Sequence, residues 1–402
     1  MCNFVPGEAI AIGPIQKLFE MGEGLPGIKS AVRPLLSEVG DFPGDSPLAR
    51  LGTLLLKTDP GLETYAISRM SARLAGAIEQ GEAIVDLNHL LPLTAAEEAP
   101  PTLELSPHAE REAASIRRVL RHAFPVSGGR RRIAVLDSGL SPDYLPHREL
   151  RYLDYSNGGR LTMPTPPQAD PKGHGTRVVS LLDQILPPDV DLSVGRLPND
   201  PAGLTALNIA HALGDIVARE KPEVVNLSVS LRSDWFVCPA CRQRVQAPTF
   251  LASFLPLVIR LGGTSTEQTV TVMAAGNTGQ PPNSRWLTEG VSTLLFAVAE
   301  NRRGDRTRYS AALNGPNADL YSAGAFGGDD PGDADAQGVF RDGAYGTSYA
   351  APFVSAGALL TKHLPVQPGD PLATQIGAYT RLLIEHARTG LPLRLPPPES
   401  WR

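Results

Sequence analysis

The sequence predicts an α/β fold, a three-layer parallel sheet with helices on both faces, preceded by a mostly helical N-terminal domain. Three observations predict it. From Arg132 onward, short runs of Val, Ile and Leu alternate with segments of helical spacing. Those runs are apolar throughout rather than at alternate positions, as strands buried on both faces must be. The 402-residue chain is also rich in Gly (39) and Pro (38) but only 6% aromatic, which suits an aliphatic core ringed by tight loops.

Residues 1–126 form the first unit. Helical patterning runs through Gly27–Val39 and through Tyr65–Gln80, where Ile67, Met70, Leu74 and Ile78 share one face. The polar, proline-bearing stretch Thr94–Pro107 then leads to a helix over Ala109–Ala123. Ser106-Pro107 introduces it, a capping residue followed by proline at the first helical position. Pro125–Gly129 breaks the chain and puts the domain boundary near Ser127. In the second unit, 127–390, strands are predicted at Ile133–Leu136, Asp191–Gly195, Val224–Val229, Val270–Ala275 and Leu294–Ala299. Helices are predicted at Arg177–Ile185 and Leu204–Arg219, so the strands should be parallel and joined by right-handed crossovers. Such sheets gather their chemistry at the carboxyl ends of the strands. The Pro-rich tail, 391–402, is expected to be extended or disordered.

Composition narrows the function classes. A net charge of −5 without a dense Lys/Arg block argues against a nucleic-acid partner. Arg130-Arg131-Arg132 reads instead as a solvated lead into a strand. No apolar run approaches the roughly 18–20 residues that span a bilayer, so no membrane partner is expected. The N-terminus has no basic region followed by an apolar one, and three cysteines make no disulfide framework. A cytoplasmic location is the expectation.

Three segments carry chemistry. In IAVLDSGL, Asp137 ends an apolar strand, where a buried acid can hold an imidazole in one tautomer. Alone, it is equally a turn or cap. In GHGTRVVSLL, His174 stands between two glycines at the start of an amphipathic helix. In GTSYAAPFVSAGALL, Ser348 opens a helix whose unpaired N–H groups and dipole favour a developing negative charge. By itself, that segment also reads as a Ser348 or Thr347 cap. Together, in the order Asp, His, Ser, they are far more specific than any one.

Over roughly residues 131–363 the sequence resembles the subtilisin-like serine peptidases, the subtilase family. The resemblance rests on Val135-Leu136-Asp137-Ser138-Gly139, His147-Arg148-Glu149-Leu150, His174-Gly175-Thr176, and Gly346-Thr347-Ser348 followed by Ala350-Ala351-Pro352. Ala274-Ala275-Gly276-Asn277 is similar to the family's oxyanion block. The resemblance implies a catalytic triad of Asp137, His174 and Ser348, with Asn277 and the Ser348 N–H as oxyanion donors. Losing one such donor costs about 10²–10³ in turnover. It implies a polypeptide substrate, an acyl-enzyme on Ser348 and no cofactor.

Val224–Ser230 resembles the strand that pairs with an extended substrate. Ser228, Val229 and Ser230 are then expected to wall the primary pocket with Ala274, Ala275 and Gly276. Two residues depart from the family pattern: Ser230 where relatives carry Gly, and Tyr349 where they carry Met. Cys238-Pro239-Ala240-Cys241 is half of a zinc knuckle and lacks a second ligand pair. Gly327–Asp335 is an acidic, glycine-rich surface loop without EF-hand spacing, and no metal site is expected. Residues 1–126 are read as a regulatory or partner-binding domain. The family's inhibitory chaperone module is a compact α/β unit, and its strand pattern is not visible there. Two rival activities stay open: a catalytically silent binding protein on the same fold, and an esterase or transacylase with the same triad.

Overall fold

The structure, a computed structural model, describes residues 4–22, 29–37, 47–90, 102–123, 131–161, 169–198, 204–229, 269–277, 279, 294–310 and 322–363. The 391–402 tail, Ser230 and all three cysteines lie outside them.

Residues 4–90 fold as strands and helices in the order β1 (Phe4–Pro14), α1 (Ile15–Gly22), β2 (Lys29–Pro34), β3 (Leu51–Lys57), α2 (Glu63–Arg73), α3 (Ala75–Glu79) and β4 (Ile84–His89). The sheet runs β2-β3-β1-β4 with antiparallel neighbours, the split β-α-β arrangement. The expectation of a mostly helical N-terminal domain is therefore corrected. Gly27–Val39, expected to be helical, holds an edge strand instead. Its four-residue apolar spacing is met differently: Val32 packs against the α2 side of the sheet, while Leu35 and Leu36 turn to the other side. The strongest strand, β1, gave no alternating signal because both of its faces are covered. Ala9 and Ala11 meet α2, whereas Ile10 and Ile12 face the second unit.

The second unit is built on seven parallel strands: β5 (Arg131–Asp137), β6 (Leu150–Asp154), β7 (Val190–Arg196), β8 (Val224–Leu227), β9 (Val270–Ala274), β10 (Leu294–Glu300) and β11 (Ser322–Phe326). They are ordered β11-β10-β9-β8-β5-β7-β6. The α/β expectation holds. One face is covered by α6 (Ala206–Glu220). The other carries α5 (His174–Ile185), α7 (Thr347–His363) and α4 (Pro107–Ala123). Helix α4 lies in the 1–126 segment of the sequence, yet it packs on α5 and α7. From β5 the chain crosses to the edge strand β6, returns to fill the gap with β7, and then adds β8 to β11 on the opposite side of β5. The order therefore reverses between β5 and β8, and the carboxyl ends of these two strands open the crevice where such sheets hold ligands.

Candidate active site

Asp137 is the last residue of β5 and His174 the first of α5. Two glycines let these ends meet. A Cβ on Gly175 would stand 2.3 Å from the Gly139 carbonyl oxygen, and one on Gly139 (φ +128°) 2.0 Å from that of Ala169. The helix start is thus laid directly on the turn that follows the strand. His174 Nδ1 donates to Asp137 Oδ1 at 2.8 Å, and both side chains are buried. The same oxygen accepts from the Ser138 N–H at 2.6 Å. With its Nδ1 proton engaged, the neutral ring presents Nε2 as a base.

Asp170, not singled out from the sequence, ties this helix start together. Its Oδ2 accepts from the Thr176 N–H (2.7 Å) and Oγ1 (2.6 Å), and its Oδ1 from Ser138 Oγ (2.8 Å) and the Gly173 N–H (3.0 Å). Ser138 Oγ in turn accepts from the Gly175 N–H at 2.8 Å. An acid just ahead of Gly173-His174-Gly175 was the available signal, since the first N–H groups of a helix need acceptors. Burial of the imidazole works against its charged form. The carboxylate of Asp137, and behind it Asp170, outweigh that burial and the repulsion from Lys172, so the pKa of His174 lies above its ordinary value.

Ser348 is the second residue of α7, buried, and its Oγ has no hydrogen-bond partner among the described residues. The serine–imidazole hydrogen bond is not made in the structure; such bonds commonly tighten only in the complex with the reacting substrate. The next side chain, Tyr349, nevertheless brings the helix to the imidazole, with ring centroids 5.6 Å apart. Asn277 lies across from the start of α7. Its Oδ1 accepts from the Thr347 N–H at 2.9 Å and from Thr347 Oγ1 at 3.0 Å, and Thr347 Oγ1 accepts from the Gly276 N–H at 3.0 Å. Two donors on one amide oxygen fix the flip, leaving Nδ2 as a free-facing donor. Thr347 is therefore the pin for Asn277, a role its sequence context did not disclose.

Ser228 and Val229 follow β8, while Ala274 ends β9, its parallel neighbour, and Ala275 and Gly276 follow it. All five are buried side by side at the same end of the sheet. Asn226 steadies this rim: its Nδ2 donates to Ser228 Oγ at 2.9 Å and its Oδ1 accepts from Ser355 Oγ on α7 at 3.0 Å. In the acidic loop, Asp329 accepts from the Arg302 and Gln337 N–H groups, and Asp330 from the Arg308 N–H. Those carboxylates are committed to protein donors. Among the described residues no group of three or more His, Cys, Asp or Glu side chains is arranged to hold a metal ion, and no helix is long and apolar enough to cross a membrane.

The N-terminal unit sits on α6. Ile10, Ile12, Leu35, Leu36, Leu48 and Leu51 share one apolar core with Ile209, Leu213 and Ile216 of that helix. Polar clamps surround it. Asp215 Oδ1 accepts from the Ser37 N–H at 3.0 Å, Arg160 donates to the carbonyls of Pro34 and Leu36, and His211 bonds Leu35 O through Nδ1 and Thr53 Oγ1 through Nε2. At the end of β4, Leu90 makes an antiparallel bridge with Thr205, the residue that caps α6.

Residues 129–369 match the subtilase family. Among solved structures, the chain is similar to the epidermin leader peptide processing serine protease EpiP from Staphylococcus aureus. That likeness has 15% identity, covers 94% of this chain and 92% of that one, and has a TM-score of 0.53. It is also similar to the nisin leader peptidase NisP from Lactococcus lactis, at 13% identity, 68% and 95% coverage and a TM-score of 0.43. No curated protein matches it.

Proposed function

The chain belongs to the subtilase family of serine peptidases, and we propose that it is an endopeptidase that cleaves polypeptides through an acyl-enzyme on Ser348. The observation that carries this reading is the buried hydrogen bond from His174 Nδ1 to Asp137, 2.8 Å long, beside the helix that begins with Thr347-Ser348. As Ser348 Oγ attacks the peptide carbonyl carbon, its proton passes to His174 Nε2, and Asp137 stabilises the imidazolium that forms. The carbonyl oxygen, now negative, is met by Asn277 Nδ2 and the N–H at the start of α7. His174 returns the proton to the departing amine. Water then attacks the acyl-enzyme with His174 again as base, releasing the acid and restoring the hydroxyl.

Regulation in cis belongs to the same reading. Residues 4–90 form a compact α/β unit of the kind that the family resemblance links to inhibitory chaperone domains. Its last strand hands the chain to Thr205, at the head of the helix on which the unit sits. A cytoplasmic site of action rests on the cysteine count alone. The test is labelling by a serine-reactive fluorophosphonate. The wild-type chain is expected to react and Ser348→Ala to lose the label entirely; equal labelling of both would overturn the assignment.

A further inference from the structure

Tyr349 directly follows the nucleophile and is 3% exposed, yet it plays no part in the chemistry described above. Its ring lies 5.6 Å from that of His174, tilted by 32°. On the far side it meets Phe340 edge-on, at 5.3 Å and 74°. Its hydroxyl faces Arg177, a buried residue one turn along α5 from His174. Arg177 is itself ion-paired with Asp342, and its guanidinium lies over the Phe340 ring at 5.4 Å. Phe340 and Asp342 belong to the segment that leads into α7. The imidazole is thus held from two directions: by Asp137 through a hydrogen bond, and by the ring of Tyr349, which packs in turn on Phe340.

A lone hydrogen bond at Nδ1 leaves an imidazole free to swing about it. A ring against its face removes that freedom, and misplacing a reacting group by about 1 Å can cost 10²-fold. We propose that Tyr349 is a positioning residue for His174, its ring restraining the imidazole while Phe340, with Arg177 and Asp342 packed behind it, restrains the ring. This rests on the reading of His174 as the base. Methionine, which the family pattern has here, offers neither a flat face nor a hydroxyl.

The test uses the full-length chain and the rate of fluorophosphonate labelling, resolved into a maximal rate and a half-saturating concentration. Tyr349→Leu, which removes face and hydroxyl, is expected to lower the maximal rate by about 10- to 100-fold with half-saturation within about twofold. Tyr349→Phe keeps the face and is expected to recover most of the rate, staying about threefold to tenfold below wild type, and Arg177→Gln should match it. The groups facing His174 are Asp137 from the end of β5, Asp170 and Lys172 from the loop before α5, and Tyr349 from α7. Since three of those are unchanged in Tyr349→Leu, water admitted beside the ring should move the acid limb of its rate profile upward, which a purely structural loss would not do.

A Tyr349→Leu maximal rate within twofold of wild type overturns the proposal, as does a change confined to half-saturation. Should Tyr349→Leu fail to fold, Tyr349→Phe and Arg177→Gln decide, and wild-type rates in both overturn it. Labelling of His174→Ala at the wild-type rate would instead sink the reading of His174 as base, so the two failures are distinguishable.

Discussion

In the reaction proposed above, His174 needs its neutral form to accept the serine proton, and the carboxylates around it favour the charged one. The pKa raised by Asp137 and Asp170 means that the neutral ring is established only at higher pH than for a free histidine. The acid limb of the kcat/KM profile should therefore have its midpoint above the ordinary value of about 6.5. In Asp137→Asn that limb should move down, and turnover should fall by about 10⁴-fold because the ring loses its fixed tautomer. Rates measured from pH 5 to 9 on both proteins check this. At this scale much was legible. Asp137, His174, Ser348 and Asn277 stand in short segments whose neighbours betray them, because glycine must flank a close approach. Asp170 was not picked out, and Thr347 only as a possible cap: their work is to satisfy N–H groups belonging to other residues, and those partners become neighbours only on folding.

Helix α5 is held at both ends by side chains from elsewhere in the sequence. At its start is Asp170. At its end, Arg148 donates Nε to Asp183 Oδ1 at 2.6 Å and its terminal nitrogens to the carbonyls of Asp183, Leu186, Pro187 and Val190. The side chain is buried, so one guanidinium satisfies a helix end that solvent cannot reach. Replacing Arg148 with Ala would leave these carbonyls without their donor and the buried Asp183 carboxylate without its counter-ion, with only the Tyr144 hydroxyl and the His147 N–H still donating to it, for a loss of about 3 kcal/mol in urea unfolding. Lys at the same position would recover only part of this, since an ammonium lacks the planar fork. The segment His147-Arg148-Glu149-Leu150 was marked by resemblance without a reason, and this packing supplies one. By contrast, β6 (LRYLD) and β11 (SAGAF) escaped notice because, at the edges of the sheet, neither carries a run of Val, Ile and Leu.

Across the whole molecule, the two units meet at α6, and the polar seam there contains a buried histidine. Burial, with further repulsion from Arg160 and Arg33, holds the pKa of His211 down at about 4 despite its hydrogen bond to Leu35 O. A depressed value favours the neutral ring of the docked state, so this contribution is complete above about pH 6.5. It is lost progressively as the pH falls toward 4, at most roughly 3 kcal/mol. Urea midpoints of the wild-type chain should drop over that window by more than those of His211→Gln, in which the titration is absent. Parallel curves would refute the role.

The peptidase unit was readable because fully buried strands write themselves as continuous Val, Ile and Leu runs. In the N-terminal unit, Tyr65–Gln80 was legible as the α2–α3 pair, but β1, covered on both faces, has no alternation to detect, and α1 spans little more than two turns.

Leu90 and Thr102 bracket eleven residues that join the two units in one chain. Each unit is thereby confronted with its neighbour at a local concentration on the order of millimolar, however dilute the protein. A contact with even micromolar intrinsic affinity would stay made about 99.9% of the time while the peptide backbone is whole. One break anywhere in that stretch turns the same contact into an encounter between separate molecules, and at nanomolar protein it would almost always be open.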